Sequence, residues 1–341
     1  MLERDLNRLP YEAVPSAAVR IFRLAWQLES WLRLMVAVEL RAARQDWEAP
    51  LRAKCRNWPP KSQGSDKRLH HMATSHLAAI SYLTFGELWS VIIDEQNFGM
   101  FEPYLPPRQN VLVRMEELQA IRNRVAHFRE PHANDEARAS LLLRDIQPGI
   151  RRFCARYNRE CGLRDADQDD VTNILTDAWE RVGYGIELHG PKGWLYAPEP
   201  HRSRPRAHAS LAIHSHARFT RENPVGLLYR VSLSAPSGSS LDINSFLKRA
   251  SLFERIVIHV LVLSNRDVGL VIPAIATADV VADAAAKFLE IARESVCPGE
   301  ARAPLPSDWP ETVLWPNHPL NIFQGDADDA VLEVPEVGSA G

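Results

Sequence analysis

Apolar residues recur at steps of three and four over residues 16–48, as Ile21, Leu24, Leu28, Trp31, Met35 and Val38. That spacing predicts one long amphipathic helix, with Ser16 placed to cap it. Pro50, Pro59 and Pro60 break the pattern, and a polar loop is expected over residues 61–67. A second helix is predicted from near Leu69, with Met72, Leu77 and Ile80 on its apolar face. Thr84 and Glu87 make a capping-box pair for a third, which carries Leu88, Val91 and Ile92. Pro103, Pro106 and Pro107 close that unit. A fourth helix follows over residues 109–128, with Met115, Leu118, Ile121, Val125 and Phe128 as its stripe and Asn123 and His127 off it. Pro131 ends it. A fifth, over residues 134–157, has Leu141, Leu142, Ile146 and Ile150 as its core, and Pro148 is expected to kink it. These elements describe a helical bundle.

The period then changes. Residues 210–213, 227–233, 255–263 and 268–272 are rich in β-branched side chains and read as strands, separated by helices over 243–252 and 277–294. The expected fold is therefore multidomain: an N-terminal all-α bundle over residues 1–163 and a C-terminal α+β domain over 171–298. The acidic stretch at 164–170 reads as a solvated hinge, because it lacks the sixth-position glycine and twelfth-position carboxylate of a calcium loop. Residues 299–341 are rich in proline and then acidic, and read as a loose tail.

Composition changes this picture little. The chain has 341 residues, 45% apolar and 24% charged, which suits globular domains large enough to bury a core each. A formal net charge of −3 provides no global basic field, so any nucleic-acid contact must be a local patch. The four cysteines, Cys55, Cys154, Cys161 and Cys297, match no zinc spacing and read as reduced thiols. The charged start after Met1 and the shortness of every apolar run lead to the expectation of a cytoplasmic protein with no membrane partner. No glycine-rich phosphate loop is present, since residues 234–240 lack the lysine of a nucleotide site. No cofactor is expected.

The chemistry concentrates at Arg122, Asn123 and His127. Arginine is a permanent, forked cation suited to a phosphate whose charge grows during reaction. Histidine exchanges a proton near neutral pH. Asn123 stands one turn before His127, so the two share a helix face. Together the three could cleave RNA without metal: His127 takes the proton of a ribose 2′-hydroxyl, Arg122 stabilises the charged intermediate, and Asn123 orients one of them. The bland alternative is a helix that ends in polar residues. Arg114, Arg124 and Arg129 are placed to guide an RNA backbone, while Glu29 and Arg33 either line the same cleft or form an ordinary surface ion pair. His208, His214 and His216 alternate on one possible strand but lack a fourth ligand, so surface histidines are preferred to a metal site. Arg202, Arg204 and Arg206 read as a solvated basic loop.

The segments LTFGELWSVIIDEQNFGMF (residues 83–101) and LVRMEELQAIRNRVAHFREP (residues 112–131) resemble the HEPN superfamily, whose arginine–asparagine–three residues–histidine motif is matched by Arg122, Asn123 and His127 without a gap. The resemblance spans roughly residues 15 to 160. It implies a helical endoribonuclease found among toxins and abortive-infection proteins, working as a homodimer in which two motif helices form one cleft. It also implies a role in toxin activity or phage defence, with an antitoxin or trigger acting at the C-terminal domain. Some members only bind nucleotide or RNA, so a non-catalytic binding module is the alternative.

Overall fold

The computed structural model describes residues 14–66, 68, 79–157, 186–188, 208–215, 226–236, 238–253, 255–299, 312–315 and 318. Its first element, α1, spans Ser16–Ala43 and buries Ile21, Leu28, Met35 and Val38, four of the six residues of its apolar row, with Leu24 and Trp31 packed partly buried beside them. Two details differ from expectation. The N-cap is Pro15, without a side-chain hydrogen bond, and Ser16 is already helical. The helix also stops at Arg44, whose extended backbone ends the ladder before residue 48. Pro50 then sits in the first turn of a short helix, α2 (Ala49–Lys54), where its missing N–H costs nothing. The stretch expected as a polar loop forms α3, Lys61–Asp66. Most of the helix expected from Leu69 lies outside the described residues, and Ile80 belongs to a 3₁₀ turn over Ala79–Tyr82.

The capping box is present: the Thr84 hydroxyl accepts from Glu87 N at 3.3 Å, and Glu87 Oε2 accepts from Thr84 N at 2.9 Å. It starts α4, Phe85–Ile92, and Asp94 caps the next helix, α5, Glu95–Phe101. The motif helix, α6, spans Arg108–Ala126, and α7 spans Asp135–Tyr157, continuous through Pro148. Leu142, Ile146 and Ile150 are buried as expected, but Leu141 is 55% exposed, one position off the core-facing row. At Gly149 the backbone of α7 meets the 3₁₀ turn Glu102–Tyr104 so closely that a β-carbon would lie 1.6 Å from the Tyr104 carbonyl oxygen.

The C-terminal region mixes strands and helices. Strands β1 (Ile186–Leu188), β2 (His208–Ser215), β3 (Leu227–Ser234), β5 (His259–Val262), β6 (Asp267–Pro273) and β8 (Val313–Leu314) form one sheet in the order β1-β2-β3-β6-β5-β8. Both outermost pairs are parallel and the inner pairs antiparallel. A separate ribbon pairs β4 (Ser239–Leu241) with β7 (Val296–Pro298). The helices are α8, Ile243–Ala250, and α9, Ala278–Glu294. Of the stretch expected to be a loose tail, Val313 and Leu314 are buried as the edge strand β8, and most of the rest lies outside the described residues, as does the hinge at 164–170.

Strand side chains alternate between two covers, following the period of two. Val231, Leu233, Val260, Val262, Val268, Leu270 and Ile272 pack with Phe246 of α8 and Phe288 of α9. Leu228, Leu261 and Val271 face the other way and join the core of the helical bundle, together with Ile258 and Leu314. Helical and mixed regions thus share one core. Polar ties cross the same seam: Arg41 Nη1 donates to the Val257 carbonyl at 2.6 Å, and Tyr157 Oη and His259 Nδ1 lie 2.8 Å apart, both buried. Among the described residues, no helix is long and apolar enough to cross a membrane.

Candidate active site

Two helices make the site. On α6, residues Met115, Leu118 and Ile121 are buried against the bundle, which turns Arg122 and Asn123 to its margin. On α1, buried Ala25 and Leu28 leave Glu29 and Arg33 on the flank that meets α6. Glu29 joins them. One of its oxygens lies 2.9 Å from Arg33 Nη2 and the other 3.5 Å from Arg122 Nη2. Arg122 Nη1 also donates to Asn123 Oδ1 at 3.3 Å. Two guanidinium groups therefore share one carboxylate, so the cluster keeps a net positive charge beside the open side of Arg122. Among the described residues, buried Arg33 Nε has no hydrogen-bond acceptor, which leaves Glu29 as the anchor that holds that side chain in place.

The end of α6 decides where His127 stands. Phe128 N donates to Val125 O at 3.0 Å and Arg129 N to Arg124 O at 2.9 Å, the two bonds of a Schellman turn. His127 is the C-cap, at φ −98° and ψ 23°, with its own N–H on Asn123 O at 3.1 Å. Its side chain is exposed, and among the described residues the imidazole makes no hydrogen bond or ion pair. Phe128 takes the left-handed position at φ 56°, and its ring is 99% exposed instead of ending the buried stripe as expected. Val125 is only half-buried.

The flanking arginines differ from one another. Arg124 pairs with buried Asp135, which also accepts from His132 N at 2.9 Å, so this contact clamps the loop between α6 and α7. Arg114 pairs with Asp145 where both side chains are about half exposed, a contact weak enough to exchange for a phosphate. Arg129 is exposed. Beside Arg114 runs a groove of about 250 Å³ between α6 and α7, floored by Leu118, Ile121 and Leu142 and bordered by the Arg138–Glu117 pair. The α1–α7 contact is held by Arg20, which donates to both oxygens of Glu136 at 2.5 and 2.9 Å.

Other candidates contribute less. Burial pushes the Cys55 thiol up to about 11 and the Cys154 thiol up to about 12, so both are poor nucleophiles. Cys161, His216 and the basic stretch at 202–206 lie outside the described residues. No group of three His, Cys, Asp or Glu side chains among the described residues could hold a metal ion. Two residues beside the site escape a sequence reading, Phe22 and Trp26 of α1, both exposed. Their signal was present in the spacing Val19, Phe22, Trp26, Glu29, Arg33, a second helical row next to the core row. In comparisons with known proteins, no family model, curated protein or solved structure matches the chain.

Proposed function

We propose that the protein is a metal-independent endoribonuclease of the HEPN kind, acting as a homodimer in toxin activity or phage defence. The observation that carries this reading is the cluster in which Glu29 aligns Arg33 and Arg122, Asn123 steadies Arg122, and an unpartnered His127 stands exposed one turn away. His127 takes the proton of a ribose 2′-hydroxyl, whose oxygen attacks the adjacent phosphorus. Arg122 stabilises the added negative charge, and the 5′-oxygen leaves with a proton. The products carry a 2′,3′-cyclic phosphate and a 5′-hydroxyl. DNA has no 2′-hydroxyl and is not a substrate.

One chain supplies one such histidine, whereas the reaction needs both a base and an acid. A second copy across a two-fold axis supplies the other, at the exposed end of α6. The mixed C-terminal region acts as the sensor of an antitoxin or trigger. It reaches the site through α1, which touches Arg122 at Glu29 and, at Arg41, the Val257 carbonyl just before β5, about 18 Å further along the helix.

Purified protein and labelled RNA in excess chelator test this reading. Cleavage with cyclic-phosphate ends is expected, with Arg122→Ala and His127→Ala each lowering the rate at least about 100-fold. Mixing the two inactive proteins should restore part of the rate through composite sites. Products with 5′-phosphate ends would overturn the mechanism. Retained RNA without any cleavage would leave the non-catalytic binding module as the reading.

A further inference from the structure

We propose that Phe22 and Trp26 of α1 form a stacking platform for unpaired bases of the RNA strand held at Arg122, so that the protein selects single-stranded RNA. The inference rests on the ribonuclease reading of that site. Along α1 the residues Val19, Phe22, Trp26, Glu29 and Arg33 succeed one another at steps of three and four, which places them in a single row. The lower part of this row is apolar and open: Val19 is 45%, Phe22 52% and Trp26 65% exposed. The upper part is the charged cluster, with Glu29 3.5 Å from Arg122. Trp26 precedes Glu29 by three residues, about 4.5 Å along the axis, so platform and phosphate clamp are neighbours.

The geometry of the rings favours a nucleic-acid strand. Their centroids lie 6.1 Å apart at an interplanar angle of 38°, each with surface left open. Exposed Arg23 lies between them in sequence, and this mixture of aromatic faces with cations is how proteins hold single strands without reading sequence. Every base has a π-face to offer, but in an A-form duplex those faces are already stacked inside the helix. A second copy of the chain fits the row less well. The two rings together expose on the order of 250 Å², too little by themselves for the roughly 800 Å² per partner of a stable dimer.

Anisotropy with a short labelled 2′-O-methyl RNA, as single strand and as duplex, tests the platform on wild-type protein, because this probe binds but lacks the attacking hydroxyl. The single strand should bind more tightly than the duplex. Phe22→Leu and Trp26→Leu should each weaken single-strand binding about 5- to 100-fold, whereas Trp26→Tyr, which keeps a ring, should stay within about 3-fold. Unchanged affinity in both leucine variants overturns the platform, as does a wild type that binds duplex equally well. Leucine variants that lose affinity only by turning from dimer to monomer, seen by sedimentation at the same concentration, also overturn it and assign the row to contact between copies. Cleavage of ordinary RNA is measured in parallel. If wild type cleaves while the leucine variants bind normally, only the platform falls. If wild type never cleaves but binding still requires the rings, only the nuclease reading falls.

Discussion

Phe128 holds a backbone conformation that favours glycine, at φ 56°, immediately after the proposed proton acceptor. A β-carbon there costs on the order of 1 kcal/mol, and the exposed ring recovers almost none of it through burial. Residues in such strained positions cluster at functional sites. Replacing Phe128 by glycine should therefore raise stability by up to about 1 kcal/mol, less the extra freedom glycine gives the unfolded chain. Cleavage should fall, because glycine loosens the turn that sets the backbone of His127. Thermal unfolding and the RNA assay on the same preparation check both halves, and a loss of stability larger than the about 1 kcal/mol that glycine's freedom in the unfolded chain accounts for would overturn the strain account. At this scale the sequence was a partial guide. The adjacency of Arg122 and Asn123 was legible from numbering alone, and Glu29 with Arg33 was legible as a pair on one turn. Its place in the cleft of the motif was one of two readings, and the contact of Glu29 with Arg122 favours that one; the choice depends on how two helices pack to bring together residues more than ninety apart in sequence. Phe128 misled for a local reason: the apolar spacing continued through it, while the chain had already left the helix.

The elements were legible wherever a period persisted for several turns or strands. The row on α1, the capping box of α4 and the four strands read from β-branched residues all have counterparts, with ends moved by a few residues. What escaped were the short pieces α2, α3, α5, the edge strands β1 and β8 and the β4–β7 ribbon, which carry too few residues for a period to show. Pro148 was legible as an irregularity in α7, whereas the role of Gly149 beside it was not, because it depends on what α7 packs against. Proline removes one N–H from the ladder, and the glycine after it lets α7 press against the Tyr104 carbonyl. With only 1.6 Å between that oxygen and an added β-carbon, and backbone on both sides, no side chain can turn away to make room. Gly149→Ala should therefore destabilise the protein by at least about 3 kcal/mol. A denaturant midpoint within error of wild type would show that α7 can slide, and would undo this account of the glycine.

At the scale of the molecule, the seam between helices and sheet matters most. The β-branched content of the strands marked them as strands but did not show that the helical bundle covers one face of their sheet. At that seam Tyr157 Oη and His259 Nδ1 are 2.8 Å apart, and burial, with nearby His318 and Arg41, drives the His259 pKa well below the usual histidine range. His318, half-buried against Trp315, is lowered by desolvation to about 4. Both imidazoles are therefore neutral in the folded chain near neutral pH, whereas the unfolded chain takes up protons near pH 6.5. Between about pH 6.5 and 4 the unfolded state binds more protons than the folded one, so stability is full above this window and falls as pH drops through it. Each such histidine contributes a slope of about 1.4 kcal/mol per pH unit. Urea unfolding across that range should show the loss in wild type, and His318→Gln should flatten it by about one proton's worth, because glutamine does not titrate. Carboxylates that protonate at the lower end affect both proteins alike and cancel in the comparison. Parallel slopes in the two proteins would mean that His318 becomes protonated without unfolding, and that the seam opens to water before the rest of the fold does.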